Sequence, residues 1–403
     1  MNRLGIVTLF AAGALIAASC GASLEADAAV DGPASTTVAA TPTTAAGSEG
    51  IPDGPSALID RTAHAFPEPL VPVEEIISGG PPPDGIPPLD SPVFVDVASS
   101  LDQLEAAESV VALEINGDAR AYPVRVLIWH EIVNDAVGGV PVSVTYCPLC
   151  NSAVSYRREV RGVETTFGTS GSLYASALVM YDRLTESLWT HFDGRAVVGV
   201  LAGDQLESIA SPLMSWEEFA QAYPTGKVLD WTETGFDRDY GRNPYEGYDN
   251  RDTEPFLFRG VVDDRERAKQ RVVGISVDDT AVAYPLTLLA DGERTVTPIT
   301  VGDQDLVILW QTGQSSALDD SAIGRGDDVG SVGVFIPVID GAPLTLAVKD
   351  GSFMDEETGS TWSIAGIATD GLQKGSHLER IQHLDTFWFA WSTYRPGTSL
   401  ING

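Results

Sequence analysis

The chain has 403 residues, 43% of them hydrophobic, and a formal net charge of −33 at pH 7, from 24 basic and 57 acidic residues. The length and the hydrophobic fraction allow one large folded domain or two modest ones. The negative charge argues against binding to nucleic acid and against docking on an anionic lipid surface.

The first twenty residues have the pattern of an export signal. Met1–Arg3 includes a basic residue, Leu4–Ala18 is apolar or small, and the run ends at Cys20. This run is too short for a spanning helix, so residues 1–19 are predicted as a cleaved signal peptide. A Cys directly after small residues resembles the lipobox of bacterial lipoproteins, whereas a plain secretory signal containing a Cys is the alternative. We expect an exported lipoprotein, acylated at Cys20 and anchored on the outer face of the cell membrane.

Two extended segments follow. Residues 20–56 consist largely of Ala, Thr, Ser, Gly and Pro without aromatic residues, which predicts a flexible stalk. Residues 57–109 are rich in Pro and are predicted to run as extended chain into the fold. No second stretch of 18 apolar residues occurs, so the sequence predicts no other membrane span.

The remainder of the chain contains an internal duplication. Met180–Trp189 has Asp, Thr, Ser and Trp at the same relative positions as Phe353–Trp362, and further matches follow in the same order. We therefore predict repeat one over residues 110–230, an insert over residues 231–271, and repeat two over residues 272–403.

Within each copy the local patterns are mostly those of β-strands. Val110–Tyr122 is predicted as a hairpin around an Asn116-Gly117 turn, and Val140–Tyr146 as a strand that ends at the cysteines. Ser215–Tyr223 is predicted as a helix with a Ser cap and acidic residues in its first turn, and Asp385–Tyr394 as its counterpart. We expect a mainly β fold of the α+β type, in which two pseudo-repeats of antiparallel β units with a few short helices pack together.

Cys147 and Cys150 form a Cys-x-x-Cys pair after a predicted strand. Two neighbouring sulfurs suit a reversible disulfide, two soft ligands for a metal, or one nucleophile with a resolving partner. Residues 311–317 of repeat two align with residues 147–153 and have Gln at both cysteine positions. One copy therefore folds without these sulfurs, which weakens the interpretation of the pair as only a structural disulfide.

Two histidines of repeat one have no counterpart in repeat two. Cys147, Cys150 and His130, together with Met180 or His191, would suit copper or zinc, with copper preferred for thiolates combined with imidazole or thioether. A Cys147 thiolate activated by His130 as a base would instead suit nucleophilic catalysis. The alternative for both histidines is a packing role beside the neighbouring Trp residues.

Two further segments have compositions that suit ligand binding. Phe167–Tyr174 is predicted as a Gly/Ser/Thr loop whose amides could cradle an anion, although its lack of Lys favours an ordinary turn. Gly235–Asp249 in the insert is dense in Tyr, Asp and Arg and could line a pocket or bind Ca²⁺, with a well-packed loop as the default.

Five segments are long enough to be specific: Trp129–Asn134, Thr145–Cys150, Phe167–Gly171, Met180–Trp189 and Phe236–Tyr245. Together they resemble the bacterial and archaeal family called domain of unknown function 3179, over nearly all of the folded part. The family name implies no activity. The resemblance also implies that the second cysteine is sometimes Thr, which would make Cys147 the more important of the two.

Three functions remain open from the sequence. The first is a membrane-anchored metal-binding or thiol-redox protein that uses Cys147 and Cys150 with His130. The second is an enzyme with Cys147 as nucleophile and His130 as base. The third is a surface binding module with a structural Cys147–Cys150 disulfide. The sequence predicts attachment to the membrane through Cys20 and names no cofactor, substrate or protein partner.

Overall fold

A computed structural model describes residues 50–402 of the chain. The predicted signal peptide, the acylation site at Cys20 and most of the predicted stalk lie outside the described residues. The described part consists mainly of antiparallel β-sheets with four short α-helices, which confirms the predicted mainly β fold. Within residues 50–402, no helix combines the length and the apolar composition needed to cross a bilayer.

The first half of the described chain contains sixteen strands, which are β1 (Ile77–Ser78), β2 (Phe94–Asp96), β3 (Ser109–Ile115), β4 (Asp118–Pro123), β5 (Ile132–Val137), β6 (Val140–Cys147), β7 (Ser152–Arg157), β8 (Glu159–Val160), β9 (Val163–Glu164), β10 (Phe167–Tyr174), β11 (Ala177–Asp182), β12 (Leu188–Thr190), β13 (Ala196–Val198), β14 (Ser208–Ile209), β15 (Leu213–Ser215) and β16 (Lys227–Leu229). The second half contains β17 (Arg271–Val277), β18 (Thr280–Pro285), β19 (Arg294–Val301), β20 (Gln304–Gln311), β21 (Ser331–Ile336), β22 (Val338–Ile339), β23 (Ala342–Pro343), β24 (Leu346–Lys349), β25 (Ser352–Asp355), β26 (Thr361–Trp362), β27 (Ala368–Asp370), β28 (Glu379–Arg380), β29 (His383–Phe387) and β30 (Ser399–Leu400). The helices are α1 (Val124–His130), α2 (Trp216–Ala222), α3 (Leu286–Leu289) and α4 (Trp388–Tyr394).

The sheets of the two halves correspond one for one. The first half has the strand orders β15-β3-β4-β16-β2, β14-β7-β6-β5 and β1-β10-β11-β12-β13, with the hairpin β8-β9. The second half has β29-β17-β18-β30, β28-β21-β20-β19 and β24-β25-β26-β27, with the hairpin β22-β23. Each half also contains a parallel pair at the same place, β16 with β4 and β30 with β18. The halves therefore share one topology, as expected for an internal duplication.

Local sequence explains the turns and caps that frame this topology. The β3–β4 hairpin turns at Asn116 and Gly117, both with positive φ, as the mirror-image turn of a two-residue hairpin requires. Helix α2 has a full capping box, in which Ser215 accepts from the Glu218 amide and Glu218 accepts from the Ser215 amide. Its counterpart α4 begins later than predicted, because residues 385–387 pair with β17 as part of β29.

The prediction of a loop at residues 167–174, with an ordinary turn favoured over an anion-binding one, is wrong, because this segment is strand β10. It pairs with β11 and β1. Gly171, with φ of 72°, lies at a bulge in the β10–β11 ladder, where a positive φ is needed. The polar composition of this segment therefore belongs to a buried strand.

The Asp-x-x-Thr-x-Ser-x-Trp motif that revealed the duplication stabilises a turn in each half. The Asp182 carboxylate accepts from the Trp189 indole N–H at 2.9 Å, and Asp355 accepts from Trp362 at 3.0 Å. From its own turn, the Asp182 carboxylate also accepts three backbone N–H bonds and the Asp355 carboxylate accepts two. The motif is thus explained by folding, because a buried carboxylate needs such donors.

Each half donates hydrogen bonds to a turn of the other half. The carbonyl of Cys150 accepts from the Phe387 amide at 3.1 Å and from the Thr386 hydroxyl at 2.6 Å. In the other direction, the Ser109 hydroxyl donates to the Ser315 carbonyl at 2.8 Å. The turn that contains the cysteines is therefore positioned partly by the second half.

Candidate functional site

The cysteines lie at the two ends of a tight turn, here called the thiol turn (residues 147–150). Cys147 ends β6, directly opposite Ser152, which begins β7. Asn151 closes the turn with φ of 48°, a conformation that Asn tolerates better than most residues. Both cysteines are free thiols and are buried. The strand predicted before the pair is thus present, and β7 after it is a strand that the sequence did not predict.

The second half shows what this position becomes without sulfur. Gln311 ends β20 opposite Ser331, just as Cys147 lies opposite Ser152. Gln311 therefore occupies the Cys147 position, as the sequence predicted. The alignment of Ser316 with Ser152 is wrong, because the turn in the second half spans residues 312–330 and the strand register makes Ser331 the counterpart.

The two thiols differ in their surroundings. Burial alone would raise the pKa of Cys147. Hydrogen bonds from the Cys150 side chain and from the backbone amides of Cys150, Leu178 and Leu149 outweigh this effect and lower the pKa of Cys147. Burial, a hydrogen bond to Cys147 and the negative charge on Cys147 all raise the pKa of Cys150 well above its ordinary value. The site therefore favours a thiolate at Cys147 beside a protonated thiol at Cys150.

A hydrogen-bonded chain leads away from Cys150. Its sulfur lies 2.9 Å from the Ser152 hydroxyl, which lies 2.8 Å from His191 Nε2. His191 Nδ1 lies 2.8 Å from the Thr145 hydroxyl, which donates its own proton to the Val154 carbonyl. His191 must then donate from Nδ1 and accept at Nε2. Burial lowers the pKa of His191 to about 3, so the ring is neutral.

A carboxyl group that the sequence analysis did not single out completes the site. Glu131 follows α1 with φ of 58°, and its carbonyl accepts from the Tyr146 amide at 2.9 Å, beside Cys147. It is 7% exposed, and no residue of the described range donates a hydrogen bond to its side chain. Burial, followed by the negative charge of Cys147, raises the pKa of Glu131 well above its ordinary value.

His130 lies in a different environment from the one expected of a base or ligand. Its Nδ1 lies 2.6 Å from the Pro87 carbonyl and its Nε2 lies 2.7 Å from the Tyr240 hydroxyl. Burial lowers the pKa of His130, so the ring is neutral and joins the N-terminal segment to the insert. Both ring nitrogens of His130 are thus engaged away from the thiols.

The predicted metal-binding set is divided in the structure. His191 reaches Cys150 through Ser152, His130 lies against Tyr240, and Met180 packs in β11 within the same hydrophobic cluster as both cysteines. Across residues 50–402, no group of three or more His, Cys, Asp and Glu side chains is close enough to hold a metal ion. The arrangement around the thiols therefore offers proton donors and acceptors in place of a ligand cage.

The insert lines an open pocket of about 800 Å³ beside the thiol turn, here called the insert cavity. Its wall includes Trp129, Leu149, Tyr245 and Tyr248. The Tyr248 hydroxyl donates to the Leu149 carbonyl within the thiol turn at 3.0 Å. Burial, followed by the charges of Glu131 and Cys147, raises the pKa of Tyr245. Leu149 is the residue of the thiol turn that lines this pocket.

A family model described as "Protein of unknown function (DUF3179)" matches residues 83–398. No curated protein and no solved structure matches the chain.

Proposed function

The chain belongs to the DUF3179 family, and we propose that it is a dithiol oxidoreductase in which Cys147 attacks a small organic disulfide and Cys150 resolves the product. The observation that supports this proposal is the pair of buried free thiols at the two ends of one tight turn. The lowered pKa of Cys147 and the raised pKa of Cys150 assign the nucleophile to Cys147 and the resolving thiol to Cys150. A thiolate attacks a disulfide, and a neighbouring thiol then closes the intramolecular bond.

The burial of both sulfurs supports a small substrate. Cys147 is 1% exposed and Cys150 is fully buried, so a folded protein surface cannot reach either sulfur directly. The insert cavity, with Leu149 of the thiol turn in its wall, has the volume of a typical small-molecule site. Small disulfides would enter there and reach Cys147 after a displacement of Tyr245.

The direction of electron flow follows from the same hydrogen bonds. Stabilising the Cys147 thiolate stabilises the reduced pair relative to the disulfide. The Cys147–Cys150 disulfide is therefore expected to be a stronger oxidant than an ordinary structural disulfide. In this respect the proposal differs from a binding module with an inert disulfide.

The test is a redox titration of the full chain with Cys20 replaced by Ser, in glutathione buffers of graded potential. Free thiols are trapped by alkylation and counted by mass spectrometry. We expect one reversible two-electron transition in the parent, none in Cys147→Ser or Cys150→Ser, and an unchanged transition in the packing control Met180→Leu. Thiols that never form the disulfide, or a disulfide that glutathione never reduces in the folded protein, would overturn the proposal. Retention of one equivalent of copper or zinc by the reduced parent, lost in Cys147→Ser, would favour the metal-binding alternative.

We also propose that the protein is exported and held at the outer face of the cell membrane by acyl chains on Cys20. The support is the pattern of the first twenty residues, in which an apolar run ends at small residues and a Cys. Metabolic labelling with a radioactive fatty acid should mark the parent and leave Cys20→Ser unmarked. Equal labelling of both would contradict acylation at this position.

A further inference from the structure

Another pocket lies between helix α2 of the first half and the β24–β27 sheet of the second half, and is here called the helix pocket. Its volume is about 550 Å³, within the range of small-molecule sites. Most of the residues in its wall are uncharged, and the charged ones are Glu218, Arg294 and Lys374. The proposed dithiol function leaves this pocket unused.

The Glu218 carboxylate already has its hydrogen-bond donors. It is 8% exposed and accepts from the Ser215 amide, the Ser331 hydroxyl and the Gln311 side-chain amide. The side-chain oxygen of Gln311 in turn accepts from Arg294 Nε at 3.0 Å. A buried carboxylate is therefore connected to Arg294 through one neutral amide, and this network fixes the guanidinium in the pocket wall.

Arg294 retains donors for a ligand. Its Nε donates to Gln311 and its Nη1 donates to the Gly351 carbonyl, so both of its acceptors are neutral. A guanidinium has more N–H donors than these two bonds use. Lys374 is exposed and lines the same pocket, and within residues 50–402 neither cation forms an ion pair with a carboxylate. The uncompensated charges of the pocket are therefore positive.

The duplication explains why this space is open. Helices α2 and α4 correspond, and they begin with Trp216 and Trp388. The last residue of α4 is Tyr394, whose ring stacks on Phe192 of the first half with the ring centroids 4.5 Å apart. The last residue of α2 is Ala222, which lines the helix pocket. The methyl group of Ala222 leaves room at the position where α4 has an aromatic ring.

The opposite wall suits an apolar group. Phe353, Trp362 and Ile364 line the pocket from the second half. The guanidinium carbon of Arg294 lies 5.9 Å from the centre of the Phe353 ring. A ligand held by Arg294 would therefore have its body against aromatic and aliphatic side chains. The planar fork of an Arg side chain matches a carboxylate, which accepts two parallel hydrogen bonds from it.

We propose that the helix pocket binds a small organic carboxylate with an apolar body through Arg294 and Lys374. The carboxylate accepts from the Arg294 guanidinium, and the Lys374 ammonium adds a second positive charge. The apolar body lies against the aromatic side chains of the second half. Gln311, which occupies the Cys147 position, positions Arg294 for this role. The first half thus carries the thiols, and the second half carries a binding site.

The probe is phenylacetate, with phenylacetamide as its uncharged counterpart. Binding to the full chain with Cys20 replaced by Ser is followed by a saturation-transfer NMR titration at about 0.15 M salt, which screens the negative charge of the chain. We expect saturable phenylacetate binding with a Kd on the order of 1 mM or tighter. Phenylacetamide should bind about 10-fold more weakly or worse, because it lacks the charge that pairs with the guanidinium.

Variants locate the ligand in the helix pocket. Arg294→Met should weaken phenylacetate binding by about 10-fold or more, and Lys374→Met should weaken it by a few-fold. Ala222→Tyr gives α2 the ring that α4 has and should abolish binding. Arg259→Met changes an exposed residue outside the pocket wall and should leave the affinity unchanged. If Arg294→Met or Ala222→Tyr fails to fold, the exposed Lys374→Met decides, and an unchanged affinity would overturn the inference.

Three results would overturn the proposal in the folded parent and variants. The first is the absence of saturable binding at millimolar phenylacetate. The second is an affinity that Arg294→Met and Ala222→Tyr leave unchanged, which would place the ligand elsewhere. The third is binding of inorganic phosphate as tight as that of phenylacetate, which would show that charge alone is recognised. None of these results bears on the redox titration of Cys147 and Cys150, so the two proposals are tested independently.

Discussion

The buried imidazole of His191 gives the site a measurable dependence of stability on pH. In the folded chain the pKa of His191 is lowered to about 3 by burial, whereas an ordinary histidine titrates near 6.5. Between these two values the unfolded chain binds a proton at this residue and the folded chain does not. Stability is therefore unaffected by His191 above about pH 6.5 and decreases as the pH falls through this window.

The magnitude follows from the size of the shift. Within the window, each pH unit lowers the free energy of unfolding by about 1.4 kcal/mol. From pH 7 to pH 5, His191 alone should lower it by about 2 kcal/mol. A glutamine at this position has no proton to take up, so His191→Gln should lose about 2 kcal/mol less than the parent over the same interval.

The assay is urea unfolding at pH 7 and at pH 5, followed by tryptophan fluorescence, for the parent, His191→Gln and His64→Gln. His64 is exposed in the N-terminal segment, so its replacement controls for the loss of one histidine. Other titrating groups contribute equally to parent and variant, and the comparison cancels them. Equal losses in the parent and in His191→Gln would refute the neutral, buried imidazole that the hydrogen-bonded chain from Cys150 requires.

Three further outcomes are expected. Replacing Arg271 by Met leaves the Asp385 carboxylate buried without its partner, so the free energy of unfolding should fall by about 3–5 kcal/mol, and a second change of Asp385 to Leu should recover most of it. Ser215→Ala removes the cap of α2 and should cost about 1 kcal/mol in the same urea assay, whereas no loss would contradict the capping box. Tyr248→Phe removes the hydrogen bond to the Leu149 carbonyl and should speed the alkylation of Cys147 by iodoacetamide at pH 7, whereas an unchanged rate would show that the insert does not limit access.

Local sequence patterns predicted the elements whose geometry is set within a few residues. The hairpin at Asn116-Gly117 and the capped helix after Ser215 follow from turn and cap chemistry, and both are present. The strand that ends at Cys147 is also local in origin, because alternation and β-branched residues favour a strand. The duplication was also visible, since two copies of one sequence pattern predict two copies of one topology.

The sequence could not predict the elements that depend on distant partners. The segment of residues 167–174 resembles a loop in composition, and only its pairing with β1 and β11 makes it a strand. His130 is predicted from the sequence as a base or metal ligand for the cysteines, but its ring nitrogens are hydrogen-bonded to the Pro87 carbonyl and the Tyr240 hydroxyl. Glu131 lies within the family segment Trp129–Asn134, but only the structure shows that its buried side chain has no hydrogen-bond donor among the described residues.

The hydrogen bonds from Thr386 and Phe387 to the Cys150 carbonyl have a consequence for how the two halves depend on each other. The second half has no cysteine of its own, yet its last strand supplies donors to the turn that holds the reactive pair. Deleting that half would remove these donors and expose the carbonyl on which the turn depends. The half without cysteines thus supports the turn of the half that has them, so neither half is expected to keep this turn intact alone.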